Sequence, residues 1–214
     1  MYVRGDGRKR DRLRVVLATQ NPGKVREIGS ILGSLAIAVL TLKDFPATGA
    51  ANEDGTTFEE NAVKKALHVW RATGLVSIAD DSGLEVQALE GRPGIYSARF
   101  AGEHASYEEN NRKLLGLLRD LPFERRRARF VCVAALVGPD GRVALRAGEV
   151  AGFITDRPAG TGGFGYDPIF YLPDYGKTMA ELSDDVKNTI SHRAQAFSGI
   201  RQVLETMLGS SPTP

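Results

Sequence analysis

A single cysteine, Cys132, stands among 214 residues. One thiol cannot close an internal disulfide, so a secreted, disulfide-stapled scaffold is excluded and a reducing, cytoplasmic setting is expected. Cys132 sits in the apolar run Phe130-Val131-Cys132-Val133-Ala134-Ala135-Leu136, where a thiol reads as a small buried hydrophobe and not as a nucleophile. No apolar run approaches the roughly 18 residues of a spanning helix, so no membrane segment is expected. The first residues carry charge but no apolar stretch ahead of a cleavage site, so no secretory leader is expected. Internal repeats and low-complexity linkers are also missing, and glycines and prolines are scattered as turns.

What is present is ordinary for a globular chain. The apolar fraction is 42% and the charged fraction 25%, which excludes a wholly disordered or collagen-like chain. The length fits one large domain or two intimate lobes. Net charge is +2, but it is unevenly placed. Through Arg14 there are six basic and two acidic residues, a net of +4, which leaves −2 for the rest. Residues 1–13 are therefore expected to be a basic, solvated tail, 14–208 a single domain, and 209–214 a loose end. A body with a slight negative charge is not expected to hold nucleic acid stably, since phosphate backbones reward an extended basic face.

Periodicity sets the class. Val15-Val16-Leu17-Ala18 reads as a buried strand, followed by turn chemistry from Thr19 to Lys24 and a helix with its apolar face at Val25, Ile28, Ile31, Leu32 and Leu35. Residues 37–42 read as a second strand. Thr57-Phe58-Glu59-Glu60 has the form of a capping box, opening a helix that Gly74 ends. Val76-Ser77-Ile78-Ala79 reads as a short strand that ends in Asp80-Asp81-Ser82-Gly83. Ser106-Tyr107-Glu108-Glu109 repeats the capping pattern and starts a helix to Leu118. Residues 128–137 and 142–150 flank Gly138-Pro139-Asp140-Gly141 as an antiparallel hairpin. Residues 191–208 form a terminal helix. Alternating strands and helices with a hairpin predict an α/β fold with a mixed sheet.

Five stretches could carry chemistry. A strand, a glycine-containing turn and a helix start at Thr19-Gln20-Asn21-Pro22-Gly23-Lys24 would present free N–H groups and a lysine to an anion. The stretch is not a Walker A loop, and alone it equally suits a plain structural turn. Asp80 and Asp81, beyond a strand, suit a hard cation or a solvated turn. Neighbouring strand residues face opposite sides, so only one aspartate need face a given site. Asn52-Glu53-Asp54-Gly55 could add a second carboxylate, or be a solvated loop. Residues 158–168, with Phe164-Gly165-Tyr166-Asp167, offer an aromatic stacking face among glycines. Lys187 with Ser191-His192-Arg193 could donate to carbonyl or phosphate oxygens; His192 could equally be a satisfied structural histidine.

Seven segments in order, LATQNPGKVREI, TFEENAVKKA, ADDSGLEV, PGIYSARFAG, PAGTGGFGYDPIF, KTMAEL and KNTISHRAQA, make the chain resemble the inosine/xanthosine triphosphate pyrophosphatase family. The basic segment before Arg14 is not part of that pattern. The resemblance implies an elongated mixed sheet flanked by helices, two lobes around a central cleft, a homodimer, and hydrolysis of non-canonical purine nucleoside triphosphates (ITP, dITP, XTP) to monophosphate and pyrophosphate. It places Thr19, Asn21 and Lys24, with the rest of their loop, on the triphosphate. Asp81 would be the catalytic aspartate, with Ser82 beside it on substrate. Glu53 and Asp81 would hold Mg²⁺. Phe164, Gly165, Tyr166 and Asp167 would line the base pocket, completed by Lys187, His192 and Arg193. A Maf-like pyrophosphatase acting on other nucleotides is the alternative; the Phe-Gly-Tyr-Asp and Ser-His-Arg segments argue against it.

Overall fold

The computed structural model describes residues 12–209. Most of the expected basic tail and loose end lies outside these described residues. Of their members, Leu13 opens the first strand and Gly209 closes the last helix. The elements run β1 (Leu13–Leu17), α1 (Pro22–Leu32), β2 (Ile37–Thr41), α2 (Phe58–Thr73), β3 (Val76–Val86), α3 (Tyr107–Leu117), β4 (Arg127–Val137), β5 (Val143–Ile154), β6 (Phe170–Leu172), β7 (Lys177–Thr178), α4 (Asp184–Ile190) and α5 (His192–Gly209). One seven-stranded sheet has the order β2-β1-β3-β4-β5-β6-β7. β1 runs parallel to β2 and β3, and the later neighbours pair antiparallel. This is the mixed α/β sheet the sequence predicts.

Local chemistry explains the helix starts. Asn21 caps α1, with Pro22 in the first turn where a missing N–H costs nothing. The expected turn through Lys24 is therefore already helical. Ser106 and Glu109 form the full reciprocal box on α3. On α2 only half of the expected box forms. Thr57 Oγ1 accepts from the Glu60 amide, but the Glu60 carboxylate accepts from the Thr56 amide (2.6 Å) instead of returning to Thr57. Gly74, at φ 66°, closes α2 in the left-handed conformation that glycine tolerates best.

Two elements differ from the sequence reading. β3 does not end before Asp80; it continues to Val86, with Asp80, Asp81, Ser82 and Gly83 opposite Ala134, Val133, Cys132 and Val131 of β4. The long apolar β4 supplies a backbone ladder that carries the polar residues along with it. Lys187, which the sequence reading assigns to no element, lies just ahead of the last helix. It stands on the separate helix α4, whose first turn is capped by Ser183.

The sheet is covered on both faces. Val15, Leu17, Ile78 and Leu136 pack under α1 and α5 through Ile28, Leu32, Phe197 and Ile200. Val16, Ala79, Val133 and Ala135 face Phe58, Ala62, Ala66 and Val69 of α2. A third cluster joins Leu114 of α3 to Leu84, Phe130, Ile154 and Phe170. β1 stops at Leu17, opposite Ile78, while β3 runs on. Between that point and Leu84, whose amide donates to Ser97 Oγ ahead of the Glu85–Pro93 bridge, no strand among the described residues pairs with this edge of β3, and the cleft lies there. α5 crosses the sheet closely at Gly148, where a Cβ would collide with the His192 carbonyl and the Ala196 amide. Gly29 in α1 has nothing within 4 Å of a Cβ. Gly148→Ala is expected to destabilise by about 1–3 kcal/mol and Gly29→Ala to stabilise by about 0.5–1 kcal/mol, measured by denaturant melts. Equal effects of the two would contradict this packing.

Candidate active site

Alternation along β3 sends Asp80 and Ser82 to the face of α1 and α5, and Asp81 to the face of α2. The two aspartates meet different partners. Asp80 is 2% exposed. Its Oδ2 takes Lys24 Nζ at 2.9 Å, Ser82 Oγ at 2.9 Å and Arg193 Nη2 at 3.4 Å. Burial opposes the Asp80 charge, but Lys24, Arg193 and Lys65 outweigh it and hold the carboxyl far below the usual range. Asp81 Oδ1 takes Lys65 Nζ at 2.7 Å, and Oδ2 takes Asn61 Nδ2 at 3.3 Å. Here burial prevails over Lys65 and Lys24, and the pKa is raised. Adjacent carboxyls thus shift in opposite directions. Lys65 also reaches Glu53 Oε2 at 3.0 Å. Glu53 and Asp81 are thus two carboxylates that share one ammonium, and they could hold a hard cation.

The Thr19–Lys24 segment forms the next wall. The expectation of free N–H groups there is corrected. Asn21 Oδ1 already accepts from the amides of Gly23 (2.9 Å) and Lys24 (3.3 Å), and Pro22 has none to give. Asn21 Nδ2 donates to the Tyr107 hydroxyl at 3.1 Å. What the segment offers the cleft is the Lys24 ammonium with Thr19, Gln20 and Asn21. Pro22 and Gly23 do not line it. Pro22 points to solvent, and Gly23 is buried behind Phe164, where a Cβ would come within 2.6 Å of the ring.

The adjoining wall is aromatic and cationic. The Arg193 guanidinium lies 5.5 Å from the Phe164 ring centroid. Arg193 Nη1 donates to Glu27 Oε2 (2.6 Å) and Nη2 to Ser82 Oγ (2.9 Å). Lys187 Nζ pairs with Asp167 Oδ2 at 2.7 Å and Glu27 Oε1 at 3.4 Å. Burial opposes the Lys187 charge, but these two carboxylates raise its pKa above the ordinary lysine value. Asp167 Oδ2 also accepts from the Phe164 amide, which positions that ring. The Gly165 carbonyl oxygen accepts from Asn111 Nδ2 at 3.1 Å. Tyr166 is largely a core residue, its hydroxyl donating to the Ser97 carbonyl at 2.9 Å. His192 stacks flat on Phe130, with centroids 4.8 Å apart. Burial, reinforced by Arg193, drives its pKa well below the usual value, so the ring is neutral. His192 Nδ1 and Arg193 Nε have no partner among the described residues.

The site residues that the resemblance implies, except Pro22 and Gly23, line one cleft of ≈ 380 Å³ together with Glu27, Lys65 and Tyr107, within the usual range for ligand sites; Asn61 and Asn111 stand behind its walls. Lys24, Lys65, Arg99, Lys187 and Arg193 face Glu27, Glu53, Asp80, Asp81 and Asp167 there, so the formal charge of these walls is zero. Sequence reading missed Asn61, Lys65, Glu27 and Tyr107. Asn61 and Lys65 did carry a signal, since they lie four apart beside Ala62 and Ala66 on the buried stripe of α2. Glu27 similarly flanks the buried Ile28.

Comparison with known proteins agrees with the geometry. A protein of Geobacter sulfurreducens named dITP/XTP pyrophosphatase is 52% identical over 191 residues, covering 89% of this chain and 96% of its own. One of the same name from Thermus thermophilus is 50% identical, covering 94% of each chain. The structure of a HAM1 protein from Coxiella burnetii superposes with a TM-score of 0.82 at 41% identity, over 91% of this chain and 99% of that one. A nucleoside-triphosphatase, dITP/XTP pyrophosphatase, of Mycobacterium abscessus gives 0.71 at 40% identity, over 90% and 100%. The Ham1 family model matches residues 15–203, and the chain belongs to the Ham1 family.

Proposed function

We propose that this chain hydrolyses non-canonical purine nucleoside triphosphates (ITP, dITP and XTP) to the nucleoside monophosphate and pyrophosphate. The observation that carries the reading is the convergence of Lys24, Asp81, Phe164 and Arg193 on one cleft, in a chain whose relatives are named dITP/XTP pyrophosphatases. Family membership does not favour the Maf-like alternative.

The reaction places water at the α-phosphorus and breaks the bond from that phosphorus to the bridging oxygen of the β-phosphate, so that pyrophosphate leaves. Lys24 faces the phosphates with its positive charge. Asp81, a buried carboxylate with a raised pKa, is suited to accept the proton of the attacking water. Phe164 offers its face to the purine. Hypoxanthine and xanthine carry a carbonyl at C6 where adenine carries an amino donor. Cations at Lys187 and Arg193 favour the carbonyl and leave adenine mismatched.

Magnesium is the proposed cofactor. Among the described residues no three His, Cys, Asp or Glu side chains converge as a ligand set. Magnesium commonly needs only one or two carboxylates plus substrate phosphates, which the Glu53 and Asp81 pair fits. A cleft of zero formal charge does not by itself neutralise a triphosphate, and the ion would supply that missing positive charge. The reading includes a homodimer working in the cytoplasm, with the two ends of the sheet acting as lobes around the cleft, and with no nucleic-acid partner. Among the described residues no helix is long and apolar enough to cross a membrane.

The direct test is a panel of nucleoside triphosphates with Mg²⁺, scoring pyrophosphate against orthophosphate. ITP, dITP and XTP should be turned over far faster than ATP, with pyrophosphate as the direct product. Direct release of orthophosphate would instead mean a γ-cleaving phosphatase. Asp81→Asn should fold normally and lose about 10²–10⁴-fold in turnover; near-normal turnover would defeat its assignment. Arg193→Ala should narrow the preference for ITP over ATP by about tenfold or more. An unchanged preference in a folded variant would remove Arg193 from base selection.

A further inference from the structure

Asn61 sits on the buried stripe of α2 and is 2% exposed. A buried primary amide must place both its ends. Its Oδ1 accepts from the Gly55 amide at 2.8 Å, and its Nδ2 donates to Asp81 Oδ2 at 3.3 Å. The partners leave only one orientation. The Gly55 N–H needs an acceptor, and the Asp81 carboxylate needs a donor. The fit is close on the loop side as well. A Cβ on Gly55 would lie 2.5 Å from Asn61 Oδ1. Gly55 belongs to the irregular segment that carries Glu53. One uncharged side chain thus joins the backbone of the Glu53 loop to the Asp81 carboxylate.

We propose that Asn61 is a positioning residue for the hydrolysis, fixing the plane of the Asp81 carboxylate and its distance from the Glu53 loop; this rests on the functional reading above. Lys65 also ties Asp81 to Glu53, but through ion pairs. A cation entering between those carboxylates competes with an ammonium. It has no such quarrel with a neutral amide. Asn61 therefore keeps hold when Lys65 is displaced. With Oδ2 engaged by Asn61, Oδ1 is the oxygen left to take the proton of water or to face a cation. Without that bond the carboxylate is free to rotate about its terminal torsion, which is broad and soft in aspartate.

Asn61→Asp separates the two halves of this clamp. The new carboxylate still accepts from Gly55 but offers no donor to Asp81. With ITP and Mg²⁺, kcat is expected to fall about 10–100-fold, while KM for ITP stays within about twofold and the ITP to ATP preference is unchanged; the melting temperature falls, because a second carboxylate is buried beside Asp81. A purely structural role would instead move KM and preference along with kcat. That pattern, or a kcat close to the parent, overturns the proposal. Gly55→Ala decides the matter if Asn61→Asp does not fold. It displaces the amide without altering Asn61, and it should reproduce the selective loss of kcat; parent-like turnover there overturns the proposal. Asp81→Asn assayed alongside separates the two levels of argument. An inactive Asp81→Asn beside a fully active Asn61→Asp removes the role of Asn61 alone. A fully active Asp81→Asn removes both.

Discussion

Two carboxylates on consecutive strand residues cannot share an environment, and the site depends on that constraint. Asp80 looks toward α1 and α5, where Lys24 and Arg193 neutralise it. Asp81 looks toward α2, where one lysine and one amide do not offset its burial. The first carboxylate is kept ionised and holds cations in place. The second is left basic enough to act. Breaking a buried pair such as Asp80 with its cations costs more than removing an exposed one, because an unpaired charge stays behind. In the proposed reaction Asp80 would therefore serve as framework and Asp81 as the group for chemistry.

Around this division the ion pairs form a connected path. Asp80 touches Lys24 and Arg193, Arg193 touches Glu27, Glu27 touches Lys187, and Lys187 touches Asp167, which holds the Phe164 amide. The phosphate side and the base side of the cleft are thus joined by one network. Glu27 stands three residues after Lys24 on α1, so one helix serves both sides. Such a network holds the Lys24 ammonium and the Phe164 ring in a fixed relation, the two groups proposed to meet the phosphates and the purine.

Much of this was legible from sequence, for physical reasons. Helices α1, α2, α3 and α5 announce themselves through capping residues and a 3-4 apolar spacing, and the β4–β5 hairpin through two β-rich runs around a Pro-Asp-Gly turn. The length of β3 was not legible. Asp-Asp-Ser-Gly has the composition of a turn, and only pairing with the apolar β4 keeps it extended. Helix α4 is short and has only Lys187 fully buried, so it lacks a stripe to read. Thr19, Asn21, Lys24, Glu53, Asp81 and Phe164 were recognisable as a set through motif resemblance. The pairings that hold them were not, because partners such as Glu27 and Arg193 are 166 residues apart in the chain. The misplaced expectation of open N–H groups at α1 has a simple cause: a motif shows that Asn21 is there but not that its own side chain caps the helix.

The central claim is that the two faces of β3 hold different duties. Crystals grown with Mn²⁺ and a non-hydrolysable ITP analogue test it most directly, through the anomalous signal of the metal. The account expects manganese beside Asp81 and Glu53, the purine against Phe164, and Asp80 still bridging Lys24 and Arg193. Manganese on Asp80, with Lys24 and Arg193 turned away from it, would contradict the account at its root.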